Sequence, residues 1–211
     1  MKALRTIIIA KAPLAGFAKT RLIPALGADG AARLAMQMLH HSITTALEAN
    51  IGTVELCSSP EPNDAVWRQF DLPTAVQMRA QGEGDLGERM ARAANRALKN
   101  GEAVMLVGTD CPAINVNILQ QVALALNDND ACMIPTFDGG YVLLGLNQFD
   151  ASIFNDMRWS TDTVAQVTFE RMQKLKWKCK LFPKLHDIDE AADLVYLPLD
   201  WQNQQAISGK P

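Results

Sequence analysis

Histidine, cysteine and tyrosine are scarce in this chain: three, four and two among 211 residues. His40, His41 and His186 lie far from Cys57, Cys111, Cys132 and Cys179, and no CxxC pair occurs. That pattern argues against a zinc centre. Four dispersed cysteines in a chain this long also do not make a disulfide framework, so free, mostly buried thiols in a reducing cytoplasm are expected. Positive charge is in short supply as well, with 20 Lys and Arg against 23 Asp and Glu and a net charge of -3. A general nucleic-acid binder needs a basic face, so no nucleic-acid partner is expected, although a local basic pocket for one anionic ligand stays open. Long apolar runs are missing too. Ile7 to Ala10 is cut short by Lys11, below the roughly 7–15 residues of a signal-peptide core. No stretch approaches the ~18 residues of a membrane span, and a cytoplasmic protein is expected.

What remains is ordinary globular composition, 48% hydrophobic and 20% charged. The length predicts one domain over residues 1–211. Ile7–Ile9 reads as a strand buried on both faces. Further strands are predicted at Thr53–Cys57, Ala75–Arg79, Ala103–Gly108, Ala131–Phe137, Gly140–Leu146 and Lys178–Phe182. Helices are predicted at Gly30–Asn50, Glu61–Phe70, Asp85–Lys99, Asn115–Leu126, Thr161–Lys174 and from Glu190 onward, with "NQQAISGKP" as a frayed tail. Strands alternating with helices imply an α/β fold with a mostly parallel sheet covered on both faces. The alternating lysines of "KLKWKCKL" suit an edge strand guarded against further pairing.

Ligands of such sheets bind beyond the carboxyl ends of the strands, so the loops there carry the functional signal. The loop after the first strand, "KAPLAGFAKTRL", is not a Walker A sequence. Its Lys11, Lys19 and Arg21, with Pro13 and Gly16, suit either a diphosphate or a solvated turn. In "QGEGDLGERM", Asp85 and Glu88 form a capping-box pair. Gln81 beside Gly82 offers an amide able to read a base edge. Asp110 in "GTDCP" is either a cap or a ligand for Mg²⁺ or Mn²⁺, and Asn115 is better spaced to cap the next helix. Asp187 and Asp189, two apart, point the same way on an extended segment, and Asp189 can also cap the helix after it. Asp138-Gly139-Gly140 reads as a turn between strands. In "WSTDTV", Ser160 can cap a helix while Trp159 staples onto Val164.

Taken in order, "AKAPLAGFAKTRL", "QGEGDLGERM", "GTDCP", "DGGYVLLGL", "WSTDTV" and "DIDEAADL" resemble a bacterial glycosyltransferase-like family. It belongs to the GT-A, or nucleotide-diphospho-sugar transferase, superfamily and has arsenosugar-biosynthesis-type relatives. The resemblance runs from the first strand to about Leu194. It implies a Rossmann-like three-layer α/β/α sandwich with a mostly parallel mixed sheet. By that similarity Lys11, Pro13, Gly16, Lys19 and Arg21 hold the phosphates, and Gln81, Gly82 and Asp85 lie near the base. Asp110, Asp189 and Asp187 hold a divalent metal, Mg²⁺ or Mn²⁺. Gly139, Gly140 and Trp159 face the sugar or acceptor, and Asp138 serves as general base.

Two departures matter. A lone Asp110 stands where most GT-A glycosyltransferases have DxD, as in the related molybdenum-cofactor and 2-phospholactate guanylyltransferases. Glu190 and Ala191 replace the Thr-Pro of the D-x-D-T-P-E-D-L pattern common in those enzymes. The resemblance therefore implies a metal-dependent glycosyltransferase using a nucleotide sugar and a small-molecule acceptor. A nucleotidyltransferase releasing pyrophosphate is the alternative, and a non-catalytic nucleotide-sugar binder the third reading. Self-association into a homo-oligomer is compatible with the sequence.

Overall fold

A computed structural model describes residues 2–208, with side chains to residue 203. Seven strands are β1 (Leu4–Lys11), β2 (Thr53–Ser59), β3 (Gln77–Ala80), β4 (Ala103–Gly108), β5 (Ala131–Pro135), β6 (Tyr141–Leu146) and β7 (Cys179–Leu181). They form one sheet in the order β3-β2-β1-β4-β6-β5-β7. Of these, only β6 runs antiparallel to its neighbours. The central strands read as near-continuous apolar runs because both faces are covered. Helices α1 (Ile23–Ala49) and α3 (Val116–Ala125) cover one face, with Leu39, Ile43, Leu119 and Val122 meeting Ile8, Leu56 and Met105. Helices α2 (Leu86–Lys99) and α4 (Val164–Lys174) cover the other, with Met90, Ala94, Ala97 and Met172 meeting Ile7, Val104 and Leu144. The expected α/β/α sandwich with a mixed, mostly parallel sheet is therefore the fold.

A third apolar cluster brings the carboxyl-terminal segment to the sheet. Ile188 and Leu197 pack with Leu22, Ala31, Leu34 and Met38, all at or near full burial. Ile188 also donates its N–H to the Asp110 carbonyl at 2.8 Å.

Several boundaries differ from the sequence reading. α1 begins seven residues before Gly30 but contains a break at Gly27, whose φ of 71° only glycine adopts readily. The predicted helix at Glu61–Phe70 is a short 3₁₀ turn, Ala65–Gln69, capped by Asp64. The predicted terminal helix is split into a 3₁₀ turn, Ala191–Tyr196, and α5 (Leu199–Ser208). Pro198 between them cannot supply the N–H a continuous helix needs. The tail expected to fray is helical to Ser208, and its last three residues lie outside the described part. β7 is an edge strand as expected, but Lys174 ends α4 and Lys176 turns with a φ of 59°. Only Lys180 of the alternating lysines sits within the strand. Cys57, Cys111 and Cys132 are buried and free, and Cys179 is half-buried and free. Burial pushes their thiols up to about 11 or 12, so they act as packing groups rather than nucleophiles.

One buried charge sits inside the sheet layer. Glu55 on β2 is fully buried and takes Arg5 at 3.2 Å and Arg96 at 2.5 Å. Arg5 in turn holds Glu102 at 2.8 Å. Removing one partner of such a group strands the others. Glu55→Ala should cost about 3 kcal/mol, the low end because Arg5 retains Glu102. The expected readout is a lower urea midpoint with an unchanged m-value.

Candidate functional site

At the carboxyl ends of β1, β3 and β4 lies a cleft of about 610 Å³ whose lining includes Lys11, Lys19, Arg21, Gln81, Asp85, Asp110, Trp159 and Asp189. A smaller recess of about 260 Å³ adjoins it and shares Asp110 and Trp159, adding Asp138, Gly140 and Asp187. A larger groove, about 850 Å³, opens at the amino-terminal ends of the strands around Lys2, Asn50 and Leu124. It brings no carboxylates together, so the chemistry is sought at the other end.

The first loop leaves β1 with the Ala12 N–H on the Ser59 carbonyl and turns through Leu14, whose carbonyl takes the N–H groups of Phe17 and Ala18. Gly16 permits this turn with a φ of 79°, and a Cβ added there would meet no heavy atom within 4 Å. Pro13 is buried beneath the loop and does not line the cleft. Lys19 takes a left-handed conformation (φ 47°) and leads into a 3₁₀ turn that buries Leu22. Its Nζ lies 2.8 Å from Asp110 Oδ1 and 2.6 Å from Asp189 Oδ1. Burial alone would lower the Lys19 ammonium, but the two carboxylates outweigh it and hold the group above its ordinary value. Arg21 is 63% exposed, 3.8 Å from Glu190, and reaches the cleft from its rim.

The carboxylates come from three segments. Asp110 follows β4, and Asn115 caps α3 through the Ile118 N–H, leaving Asp110 free of that duty. Asp189 is likewise not a cap. Glu190 caps the next turn in a reciprocal pair with Asp193, correcting the expectation that Asp189 would do so. Asp187 is half-buried, and its carboxyl is pushed up to about 6, first by burial and then by the charges of Asp138, Asp189 and Asp110. Asp138 closes its turn by accepting from the Thr136 hydroxyl at 2.5 Å and the Gly140 N–H at 2.9 Å, both on Oδ1. Its second oxygen is left for other work.

An all-oxygen set of this kind suits a hard divalent ion rather than a soft one. Among the described residues no three His, Cys, Asp or Glu side chains are gathered as a ready cage. The residues nevertheless fit, because an ammonium already stands where the Asp110 and Asp189 oxygens converge.

The third loop departs most from its sequence reading. Gln81 is buried, and its Nε2 donates to the carbonyls of Ala10 and Cys57 at 2.9 and 3.0 Å. Its Oε1 accepts from Arg89 at 3.3 Å. The amide therefore ties strand ends together and offers no free edge to a base. Gly82 (φ 75°) makes room for Arg92, which donates to the carbonyls of Gln81 and Glu83. Asp85 makes the expected capping box with Glu88. Arg89 was not singled out by the sequence. It fastens the Gly84 carbonyl at 2.9 Å and faces the cleft. Its position three residues past Leu86 in the helix was the available signal.

Gly139 is a close-packed point of its turn and does not line the recess. Its φ is 94°, and an added Cβ would collide with the Asp162 carbonyl. Gly140 does line the recess. Trp159 borders both spaces and presses its ring against α2 at Gly87, where a Cβ would stand 2.7 Å from it. Ser160, expected to cap α4, instead turns with a φ of 62°, and Thr163 occupies the cap position.

Asp187 gives this site a pH signature. Its folded value near 6 exceeds the ordinary 3.8, so the folded protein binds more protons than the unfolded chain between those values. Stability from this group is greatest below pH ~4 and falls as pH rises through ~6. Asp187→Asn should flatten that part of a Tm-versus-pH profile and raise Tm at pH 7, as differential scanning calorimetry would show.

The description "Uncharacterized protein conserved in bacteria (DUF2064)" belongs to the sequence family that matches residues 42–161. A comparison with curated proteins finds no match. Among solved structures, a candidate nucleotide-diphospho-sugar transferase from Desulfovibrio desulfuricans G20 superposes with a TM-score of 0.87 at 30% identity, covering 96% of this chain and 89% of its own. A cytidylyltransferase from Leptospira borgpetersenii gives 0.57 at 15% identity, covering 100% and 99%. Protein Rv0371c of Mycobacterium tuberculosis H37Rv in complex with manganese gives 0.52 at 14%, covering 92% and 97%. The last two likenesses concern the fold alone. The family match and the near full-length relative at 30% identity together establish that this chain belongs to the DUF2064 family, within the nucleotide-diphospho-sugar transferase superfamily.

Proposed function

We propose that this chain is a metal-dependent glycosyltransferase, with residues 1–211 acting as one transferase domain on a nucleotide-sugar donor and a small-molecule acceptor. The observation that carries the reading is the meeting of Lys19, Asp110 and Asp189 at the carboxyl end of the sheet, in a cleft rimmed by Lys11 and Arg21. Cations and carboxylates at one point suit a diphosphate bound with a divalent ion. The likeness to the Desulfovibrio protein supports the sugar-nucleotide class.

In this reading Lys11, Lys19 and Arg21 bind the diphosphate through charge-assisted hydrogen bonds. Asp110 and Asp189 would hold Mg²⁺ or Mn²⁺, with Asp187 beside them. A bound ion supplies Lewis-acid neutralisation of the departing diphosphate. Asp138, fixed through Oδ1, turns Oδ2 to the acceptor and takes its hydroxyl proton. The acceptor oxygen then bonds to the anomeric carbon as the bond to the phosphate oxygen breaks, and the configuration inverts. Trp159 and Gly140 line the recess beside Asp138 and would border the sugar.

A second reading, nucleotidyl transfer, is favoured by the lone Asp110 in place of a DxD pair. The same cations would hold a triphosphate, and pyrophosphate would leave. The small molecule released separates the two: a nucleoside diphosphate for glycosyl transfer, pyrophosphate for the alternative.

Thermal shift should be measured against UDP-, GDP-, ADP- and dTDP-sugars and the matching triphosphates, each with and without Mn²⁺. A donor at ~100 times its Kd stabilises by about 2.7 kcal/mol. A Mn²⁺-dependent response to a nucleotide sugar is expected, while a response to triphosphates alone would transfer the assignment to the second reading. With the donor known, Asp110→Asn should lower metal-dependent kcat at least ~100-fold, ~2.7 kcal/mol of transition-state stabilisation. Undiminished turnover in that variant would remove the metal assignment.

A further inference from the structure

Lys19 is the loop cation that the sequence offers to phosphates, yet in the folded chain it is engaged elsewhere. Its side chain is 10% exposed, whereas those of its partners Asp110 and Asp189 are 47% and 41% exposed. The ammonium lies on the inner side of the pair, and the carboxylates keep an open side toward the cleft. One carboxylate comes from the β4 loop and the other from a segment 79 residues later, pinned to it by the Ile188 N–H on the Asp110 carbonyl. A divalent ion would be drawn to the same two carboxylates. A cation already 2.6 and 2.8 Å from one oxygen of each partly neutralises them and repels a second positive charge.

The turn that precedes Lys19 faces solvent. Nothing lies within 4 Å of the Gly16 Cβ position, and Phe17 is 80% exposed. Lys19 itself has a left-handed backbone that non-glycine residues seldom adopt. Leu22, three residues on, is fully buried and fixed. Lys19 therefore sits between an exposed turn and a buried anchor, at the wall of the cleft.

Building on the reading of this cleft as a metal–diphosphate site, we propose that Lys19 is a resident counter-cation that closes the Asp110–Asp189 pair to free divalent ions, so that the ion enters together with the diphosphate. A free ion can displace the ammonium only by leaving it without an anionic partner. A diphosphate arriving with its ion provides that partner, and the two cations exchange anions. Binding of the ion and binding of the diphosphate are thereby coupled, each strengthening the other by the same factor. The form of substrate recognised is the ion–nucleotide complex.

The test uses Mn²⁺ alone, with no nucleotide, on the full chain. The electron paramagnetic resonance signal of the free aqua ion reports binding to the wild type, Lys19→Met, Lys19→Arg, and Lys19→Met combined with Asp110→Asn. Lys19→Met should bind Mn²⁺ at least tenfold more tightly than the wild type. Lys19→Arg, which keeps the charge, should stay weak, and adding Asp110→Asn to Lys19→Met should abolish the gain. Circular dichroism confirms that each variant is folded, and Lys19→Gln replaces Lys19→Met if that chain does not fold. Equal or weaker binding by the uncharged variant overturns the inference. The metal reading survives that outcome if Asp110→Asn still abolishes Mn²⁺-dependent turnover of the nucleotide substrate. If Asp110→Asn changes neither Mn²⁺ binding nor turnover, the metal reading falls and the inference with it.

Discussion

A single apolar side chain, Ile188, holds together the acidic end of this molecule. It is fully buried among Leu22, Leu34, Met38 and Leu197, and carries Asp187 before it and Asp189 after it. Burying an isoleucine stabilises by roughly 1.5–3 kcal/mol. That contribution opposes the repulsion that would drive Asp187 and Asp189 away from Asp110 and Asp138. The Ile188 N–H on the Asp110 carbonyl sets the register between the carboxyl-terminal segment and the central strand. Without this anchor the lone carboxylate after β4 has no companion.

The same cluster holds the cationic side of the site. Leu22 ends the first loop in contact with the apolar group that includes Ile188. Lys19 and Asp189, 170 residues apart in sequence, thus meet because their neighbours share one small core. The arrangement leaves opposed charges unequal: one ammonium faces two carboxylates directly, and two more carboxylates lie close by. The rise of the Asp187 carboxyl to about 6 reflects burial together with that surplus of negative charge. Repulsion of Asp187 by Asp138, Asp189 and Asp110 opposes folding in the charged state. Strained or mismatched groups that persist in a folded chain are where function is sought.

What the sequence disclosed was local. The apolar runs marked the central strands. Asp85 with Glu88 and Asn115 before its helix announced their caps by spacing alone, and both caps are present. Order along the chain carried the resemblance, and with it the sandwich fold. What stayed hidden depends on residues far apart. Gln81 looked like a base reader because a side-chain amide beside glycines has free donors and acceptors. Its partners, Ala10 and Cys57, come from two other strands. Ser160 had the right spacing for a cap, but backbone geometry passed that position to Thr163. The Arg5–Glu55–Arg96 group was equally invisible, since only strand pairing and helix docking bring it together.

The cleft and the smaller recess beside it differ in kind, and that difference bears on the proposed chemistry. The larger is rimmed by cations from one loop and framed by a third loop whose carbonyls are fastened by Arg89 and Arg92. Such a frame has little freedom to adapt, so it selects by shape and charge. The smaller recess is walled by Met90, Val142, Val164 and Trp159, with Asp138 and Asp187 at its polar side. Asp138 itself is exposed at the rim, so the oxygen its turn leaves unused is open to an incoming hydroxyl. On the proposed reading, the cation pair at Asp110 and Asp189 serves glycosyl and nucleotidyl transfer alike. The choice between them then rests on the recess, since only a sugar carbon seated there brings Asp138 into range of an attacking hydroxyl.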